Sequence, residues 1–224
     1  MTDNKIITDR EEILEAVKNR GDALKNASDT LKADREVVLE AVRNDGALKY
    51  ADESLWADRE VVLEAIRNEI GPALGPALEY ASDSLKADRE VVLEAVRRYG
   101  NALEYASDPL KADREVVLEA VRHMGYALQY ADDSLKDDGE VVLEAVRNDL
   151  THLAFEYASE SIKDDREVVL EAVKIWGGVL QHVSNTLKAD REVVLEAVKK
   201  NAWVLRCASE ELQNDPELKK LAQG

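Results

Sequence analysis

The chain is organised around the stretch Asp88-Arg89-Glu90-Val91-Val92-Leu93-Glu94-Ala95-Val96-Arg97. Six further copies are nearly verbatim and start at Asp34, Asp58, Asp113, Asp138, Asp165 and Asp190, while looser copies start at Asp9 and Asp215. Successive aspartates are separated by 25, 24, 30, 25, 25, 27, 25 and 25 residues. A fixed period with short, local slips is typical of a repeat array, in which each unit buries its apolar face against its neighbours.

Each copy is predicted to form a short amphipathic helix. In the copy at Asp34, the aspartate is a good N-cap, because its carboxylate can accept a hydrogen bond from a first-turn N–H group. Glu36 near the start and Arg43 near the end suit the helix dipole. The apolar residues of positions 37–42 cover a wide arc, which indicates packing on more than one flank. Paired β-branched valines weaken an isolated helix, so a single unit is not expected to fold alone.

A second, shorter helix is predicted between consecutive copies, for example over Ala102-Leu103-Glu104-Tyr105-Ala106-Ser107. A glycine often separates the two helices, and we expect it to supply the left-handed residue that ends the first one. These glycines are Gly21, Gly46, Gly71, Gly100, Gly125 and Gly177. A link such as Ser84-Leu85-Lys86-Ala87 follows, and its leucine is expected to anchor the turn on the core.

The sequence therefore predicts an all-α solenoid of about eight two-helix repeats of about 25 residues, with capping half-units at both ends. We expect one array over residues 1–224, with units that start at the aspartates given above. Glu12 replaces the first valine of the pair in the opening copy. The closing helix from Asp215 carries Lys219 and Lys220 at core-type positions, as a capping unit with a polar outer face should.

Composition narrows the class of protein. With 45% hydrophobic, 34% charged and only 5% aromatic residues, the chain is foldable around a core of Ala, Val and Leu. The net charge of −17 is explained by the repeated, solvated carboxylates, and it disfavours direct binding to nucleic-acid phosphate. One cysteine, Cys207, fits a reducing compartment. No apolar run has the roughly 18 residues of a membrane span, and no signal-peptide pattern opens the chain, so we expect a cytoplasmic protein that does not bind membranes.

The motifs D-R-E-V-V-L-E-A-V-R, G-x-A-L-E-Y-A-S and x-L-K-A-D together resemble an uncharacterised tandem helical-repeat family found in bacteria, algae and protists. That family is a domain of unknown function about fifty residues long, which would hold two of these units. The resemblance runs from about Asp9 to Asp215. It implies no activity, cofactor or catalytic residue, although some proteins that carry the repeat look like secreted bacterial effectors. Gly139 in place of the usual arginine is one departure from the pattern.

Motifs for catalysis, metal binding or cofactor binding are missing from the sequence: it has no G-x-S-x-G, no phosphate-binding glycine loop, no H-E-x-x-H and no C-x-x-C. His182 and Cys207 occupy a column that other units fill with tyrosine, so we interpret both as packing substitutes. The acidic run 132–140 does not have the ligand spacing of a calcium loop. We interpret Asp138 in it as an ordinary N-cap, and we expect a protein without catalytic activity, metal or cofactor.

Positions that vary between near-identical units are the best candidates for binding. At the turn between the two helices, large side chains form a column that we predict to be a partner-binding ridge: Tyr99, Met124, Tyr126, Trp176 and Trp203. The alternative is that these side chains fill gaps between repeats. Trp56 stands in a column otherwise held by lysine, and an exposed ring there would be a secondary contact for another chain.

Two units depart from the regular period. The unit after Asp58 contains the duplication Gly71-Pro72-Ala73-Leu74-Gly75-Pro76-Ala77-Leu78, and the unit after Asp138 contains Asn148-Asp149-Leu150-Thr151-His152-Leu153 without the glycine. Such insertions often collect on the binding face of a solenoid. A duplication slip without function is the alternative.

These features favour a non-enzymatic scaffold that binds a protein partner, with use as a bacterial effector or adaptor suggested by the family resemblance alone. An effector would be delivered into a host cytoplasm. A second hypothesis is an acidic mimic that occupies the basic surface of a nucleic-acid-binding protein. An enzyme would need carboxylates in a closed pocket. Consensus design would explain the similarity of the copies, but the irregular units favour a natural origin.

Overall fold

The computed structural model describes residues 6–45, 47–69 and 76–223. These residues fold into helices joined by short turns, with an isolated parallel bridge between Ile7 and Ala27. The chain forms two compact units, residues 1–110 and residues 111–224. Each unit is an all-α solenoid in which consecutive repeats pack on one another, which confirms the predicted fold class. Gly46 and most of the duplicated segment, residues 70–75, lie outside the described residues.

The first helix of each repeat begins directly after its capping aspartate, as predicted. Asp58, for example, accepts hydrogen bonds of 3.1 Å from the backbone N–H groups of Glu60 and Val61. We number the repeats 1 to 8 by the aspartates Asp9, Asp34, Asp58, Asp88, Asp113, Asp138, Asp165 and Asp190. Their first helices are Arg10–Asn19, Arg35–Asp45, Arg59–Arg67, Arg89–Arg98, Arg114–His123, Gly139–Arg147, Arg166–Ile175 and Arg191–Lys200, and a closing helix follows at Pro216–Gln223.

The second helix of most repeats is a 3-10 helix, the tighter form that is common in short segments. The bounds are Gly21–Asn26, Leu48–Tyr50, Gly100–Tyr105, Gly125–Tyr130, Ala154–Tyr157, Gly177–Gln181 and Ala202–Cys207, while repeat 3 has an α-helix at Ala77–Tyr80. Its central apolar side chain is buried in every repeat, for example Leu48 and Leu128. This helix therefore contributes the second side of the core.

The link is a third short helix rather than an unstructured connection. The bounds are Asp29–Lys32, Glu53–Leu55, Asp83–Lys86, Asp108–Lys111, Asp133–Lys136, Glu160–Asp164, Asn185–Lys188 and Glu210–Gln213. Its Leu or Ile is buried in each repeat, as predicted. A backbone hydrogen bond joins consecutive links: the N–H of Asp132 donates to the carbonyl of Lys111, and the N–H of Ser184 donates to that of Lys163. This bond fixes the register between neighbouring repeats.

The core of each unit lies between consecutive repeats. The valine pair, the alanine and the final valine of the first helix are buried in repeat 2 at Val37, Val38, Ala41 and Val42. Within each unit, the first helix of one repeat packs against the first helix of the next. At the end of the chain, Leu218 is buried in the closing helix while Lys219 and Lys220 are exposed, as expected of a capping helix.

At Gly21, Gly125 and Gly177, the prediction that glycine ends the first helix in a left-handed conformation was wrong. The helix ends at an extended residue, such as Met124 with φ −151° and ψ 103°, and the glycine lies against the next repeat. A Cβ atom added to Gly21, Gly125 or Gly177 would come within 2.2, 2.0 or 2.4 Å of the carbonyl oxygen of an alanine twenty residues further on. Close backbone approach, rather than positive φ, therefore requires the glycine. Ala202 replaces it in repeat 8, where the position is exposed.

Candidate functional site

The five predicted ridge residues lie at the turn between the first and second helices. Tyr99 of repeat 4 lies within residues 1–110 and is half-buried. Met124 and Tyr126 of repeat 5 and Trp176 of repeat 7 lie within residues 111–224 and are also half-buried. Trp203 of repeat 8 is 71% exposed. Of the five predicted ridge residues, Trp203 therefore projects into solvent, and the other four are partly covered by the fold.

Two of the half-buried rings contact repeat 6. Tyr126 meets Tyr157 edge to face, with ring centroids 5.6 Å apart. Trp176 stacks on His152 with centroids 4.8 Å apart and an angle of 12° between the planes. Gly178 makes room for Trp176, because a Cβ at that position would lie 2.0 Å from the indole ring. These rings fill gaps between repeats, which is the alternative that the sequence left open for the column.

Large apolar side chains are exposed at the same turn in three consecutive repeats. Leu150 and Leu153 of repeat 6 are 96% and 40% exposed, Ile175 of repeat 7 is 38% exposed, and Trp203 belongs to repeat 8. The guanidinium of Arg206 lies 4.6 Å from the centroid of the Trp203 ring, which favours one position for that ring. We call Leu150, Leu153, Ile175 and Trp203 the turn patch.

The inserted turn of repeat 6 is held by a buried carboxylate. Asp149 accepts hydrogen bonds from the N–H of Thr151 at 2.9 Å, from the hydroxyl of Thr151 at 2.6 Å and from the N–H of Ala154 at 2.5 Å. His152 has φ +62°, a conformation that costs a non-glycine residue free energy and needs surrounding contacts. Its stacking on Trp176 supplies one such contact. The turn therefore presents Leu150 and Leu153 from a fixed backbone.

Two other irregular repeats use a carboxylate at the same position, a feature that the sequence reasoning missed. Asp45 of repeat 2 accepts from the N–H of Asp22 at 2.9 Å and also from the N–H of Ala47, while Glu69 of repeat 3 accepts from the N–H of Ala77. In the regular repeats, a backbone carbonyl oxygen, rather than a carboxylate, accepts the hydrogen bond from the N–H group near the start of the second helix. The signal was present as Arg-Asn followed by Asp or Glu, which occurs in the three repeats whose spacing is 24, 30 or 27 residues.

Burial acts to raise the pKa of each of these carboxylates, and the hydrogen bonds that each one accepts act in the opposite direction. Burial raises the pKa of Glu69 to about 7, although its bond from Ala77 acts in the opposite direction. Burial also raises the pKa of Asp45 above its usual range. For Asp149 burial acts in the same sense, but the hydrogen bonds from Thr151, Ala154 and Leu153 outweigh it and bring its pKa below the usual range. The turn of repeat 6 is therefore built for a charged carboxylate.

An arginine ladder runs along the N-terminal ends of the first helices within each unit. In six repeats, the first helical residue donates from Nε to the capping aspartate of the next repeat and from its terminal nitrogen to the glutamate two positions later. These arginines are Arg10, Arg35, Arg59, Arg114, Arg166 and Arg191. The guanidinium beside Asp190 holds the pKa of that carboxyl below its usual range. Twelve of the 47 Asp and Glu side chains are thus paired along these rungs of the ladder.

Trp56 is not the exposed ring that the sequence suggested. It is half-buried, and its ring centroid lies 6.0 Å from that of Tyr80. The backbone carbonyl of Trp56 accepts from the N–H of Ser82, which is the bond that joins consecutive links. The side chain lines an open cleft of about 500 Å³ together with Lys25, Lys49 and other residues. Its contact with Tyr80 therefore covers part of the ring and leaves part of it exposed.

The histidines and the cysteine are not brought together. His182 is half-buried, and burial lowers its pKa, while Cys207 is a free, half-buried thiol in the same column. Within residues 6–45, 47–69 and 76–223, no group of three or more His, Cys, Asp or Glu side chains could hold a metal ion. In the same residues, no helix has the length and apolar character needed to cross a membrane.

The repeat architecture agrees with one family model. The model of DUF4116, a domain of unknown function, matches residues 9–47, 74–111, 113–163, 149–188, 165–213 and 190–222. No protein of curated function matches the chain. Since the six matches together cover most of the repeats, the chain belongs to the DUF4116 family.

Proposed function

We propose that the protein is a non-enzymatic interaction scaffold whose turn patch binds a partner protein. The observation that carries the proposal is the exposure of four large apolar side chains at one turn in three consecutive repeats. Large apolar side chains that are exposed close together in the repeat are typical of a binding site. A projecting tryptophan such as Trp203 is the kind of residue that dominates interface energetics.

Rigidity supports the same proposal. The hydrogen bonds of Asp149 and the stacking of His152 on Trp176 hold the turn of repeat 6 before any partner arrives. A surface that is ordered in advance loses less conformational entropy on binding. A cytoplasmic location is part of the proposal, because a lone free thiol at Cys207 fits a reducing compartment.

The test compares two variants that alter only exposed side chains. Leu150→Ser/Trp203→Ala removes the most exposed members of the turn patch, and Leu221→Ser, at a residue that is 39% exposed in the closing helix, is the matched control. A photo-crosslinking residue at position 150 should capture a defined partner that position 221 does not capture. The double variant should lose that partner while the control keeps it.

Salt dependence separates this proposal from acidic mimicry. Binding through the turn patch should change little between low and high salt, because apolar contacts are not screened. Partner binding that survives the double variant and weakens steeply with salt would contradict the scaffold proposal and favour the mimic.

A further inference from the structure

The arginine ladder is interrupted at repeat 6, where Gly139 stands in the place of the donating arginine. The carboxylates that this arginine would contact are Asp165 and Glu167 of repeat 7. Asp165 caps its helix through Oδ1, which accepts from the N–H groups of Glu167 and Val168. In the other ladder positions the second oxygen, Oδ2, accepts from arginine Nε. Among the described residues, no ion pair is formed by Asp165 or Glu167.

The missing side chain leaves a notch. The first valine of the pair is completely buried in other repeats, as at Val141 and Val193, whereas Val168 is partly exposed. An open cleft of about 700 Å³ lies here, lined by residues that include Gly139, Leu143, Glu167 and Val168. The aliphatic stem of an arginine side chain is long enough to cover apolar surface of this size while its guanidinium stays in water. The notch thus combines the carboxylate of Glu167, two residues after the capping Asp165, with the partly exposed side chain of Val168.

The chain itself shows which ligand fits this arrangement. Arg166, one repeat further on, donates from Nε to Asp190 Oδ2 at 2.8 Å and from its terminal nitrogen to Glu192. Six arginines use the same fork in equivalent positions of the two units. Two carboxylates placed to accept two N–H groups of one planar guanidinium select arginine over lysine, whose ammonium is a point charge. A metal ion does not fit, because the described residues contain no group of carboxylates arranged to bind one.

We propose that the notch at Gly139 receives the guanidinium of an arginine side chain from a partner polypeptide. The partner's arginine takes the place that the chain's own arginine takes in the other repeats. Its Nε donates to Asp165 Oδ2 and a terminal nitrogen donates to the carboxylate of Glu167. Its aliphatic stem covers Val168. The notch lies at the N-terminal ends of the first helices and the turn patch lies beyond their C-terminal ends, so this proposal does not depend on the turn patch.

The test is an NMR titration of the full chain with N-acetyl-arginine amide, followed through the backbone amides of Gly139 and Val168. The uncharged analogue N-acetyl-citrulline amide keeps the shape of the ligand and removes its charge, and N-acetyl-lysine amide keeps the charge and removes the fork. We expect saturable shifts with the arginine compound and at least fivefold weaker binding of both analogues. Glu167→Gln, an exposed change that leaves the fold intact, should weaken binding of the arginine compound at least threefold.

Gly139→Arg supplies the chain's own guanidinium to the notch once the Cγ2 methyl of Val168, which would lie 2.8 Å from the new Cβ, has rotated away, and it should abolish binding of the arginine compound. Equal binding of the lysine and arginine compounds would mean non-specific attraction of cations and would overturn the proposal. The absence of saturable shifts in the wild-type chain would overturn it as well, and so would unchanged binding in Glu167→Gln. None of these results would bear on partner binding at the turn patch.

Discussion

Adding one methyl group at Gly177 should disrupt the packing of repeat 7 on repeat 8. A Cβ atom there would lie 2.4 Å from the carbonyl oxygen of Ala197, whereas ordinary contacts begin at 3.4 Å, so the two backbones must separate by about 1 Å. Overpacking of this kind costs about 1–3 kcal/mol. With a urea dependence of about 2 kcal/mol per M, the unfolding midpoint should fall by roughly 1 M.

The matched control for Gly177→Ala is Ala202→Ser, which adds one heavy atom at the equivalent, exposed position of repeat 8. Urea unfolding followed by far-ultraviolet circular dichroism should show a shift for Gly177→Ala and almost none for the control. Since replacing glycine by alanine at a permissive site stabilises a protein by about 0.4–1 kcal/mol, the sign of the effect is diagnostic. An unchanged or raised midpoint for Gly177→Ala would refute the close approach as the reason for glycine.

The ionisable side chains give three further predictions. Because folding raises the pKa of Glu69 from 4.5 to about 7, the free energy of unfolding of the wild-type chain should fall as pH rises through that window. Glu69→Gln does not titrate, so its stability relative to the wild type should rise by up to about 3 kcal/mol across the same window, measured by urea unfolding at a series of pH values. Asp149→Asn should behave in the opposite way: the lowered pKa of Asp149 stabilises the fold above its ordinary value near 3.8, so the variant should be less stable at neutral pH and the difference should shrink in acid. Arg166→Gln should raise the carboxyl pKa of Asp190 towards its ordinary value in a carbon-detected NMR titration, and an unchanged value would contradict the ladder.

The features that could be predicted from the sequence are those that depend on local chemistry. The aspartate caps, the first helices and the buried leucines of the links all follow from capping rules and helical periodicity. The link helix was harder to predict, because four residues are too few to show a period. The role of Gly177 depends on a carbonyl of the next repeat, which no rule based on neighbouring residues includes.

Predictions about the candidate site were limited for the same reason. Tyr126 and Trp203 occupy one column of the repeat, yet the first meets Tyr157 edge to face and the second projects into solvent. Repeat 5 is followed by a repeat whose second helix supplies Tyr157, whereas repeat 8 is followed, in the part of the chain that the structure describes, by the closing helix alone. Exposure of an aromatic side chain in a repeat protein depends on which neighbour lies beside it. A column of residue types therefore predicts position at the turn without predicting exposure.

Circular dichroism of one excised repeat tests most directly whether the repeats stabilise one another. A peptide of residues 113–137 contains the caps, both core helices and the link of repeat 5, but it lacks the partners that bury its valines. We predict that this peptide has little helix in water, since isolated helices of this length are marginal, while the whole chain is strongly helical and unfolds cooperatively. A cooperatively folded, helical peptide would contradict the account, because each repeat would then be stable without its neighbours.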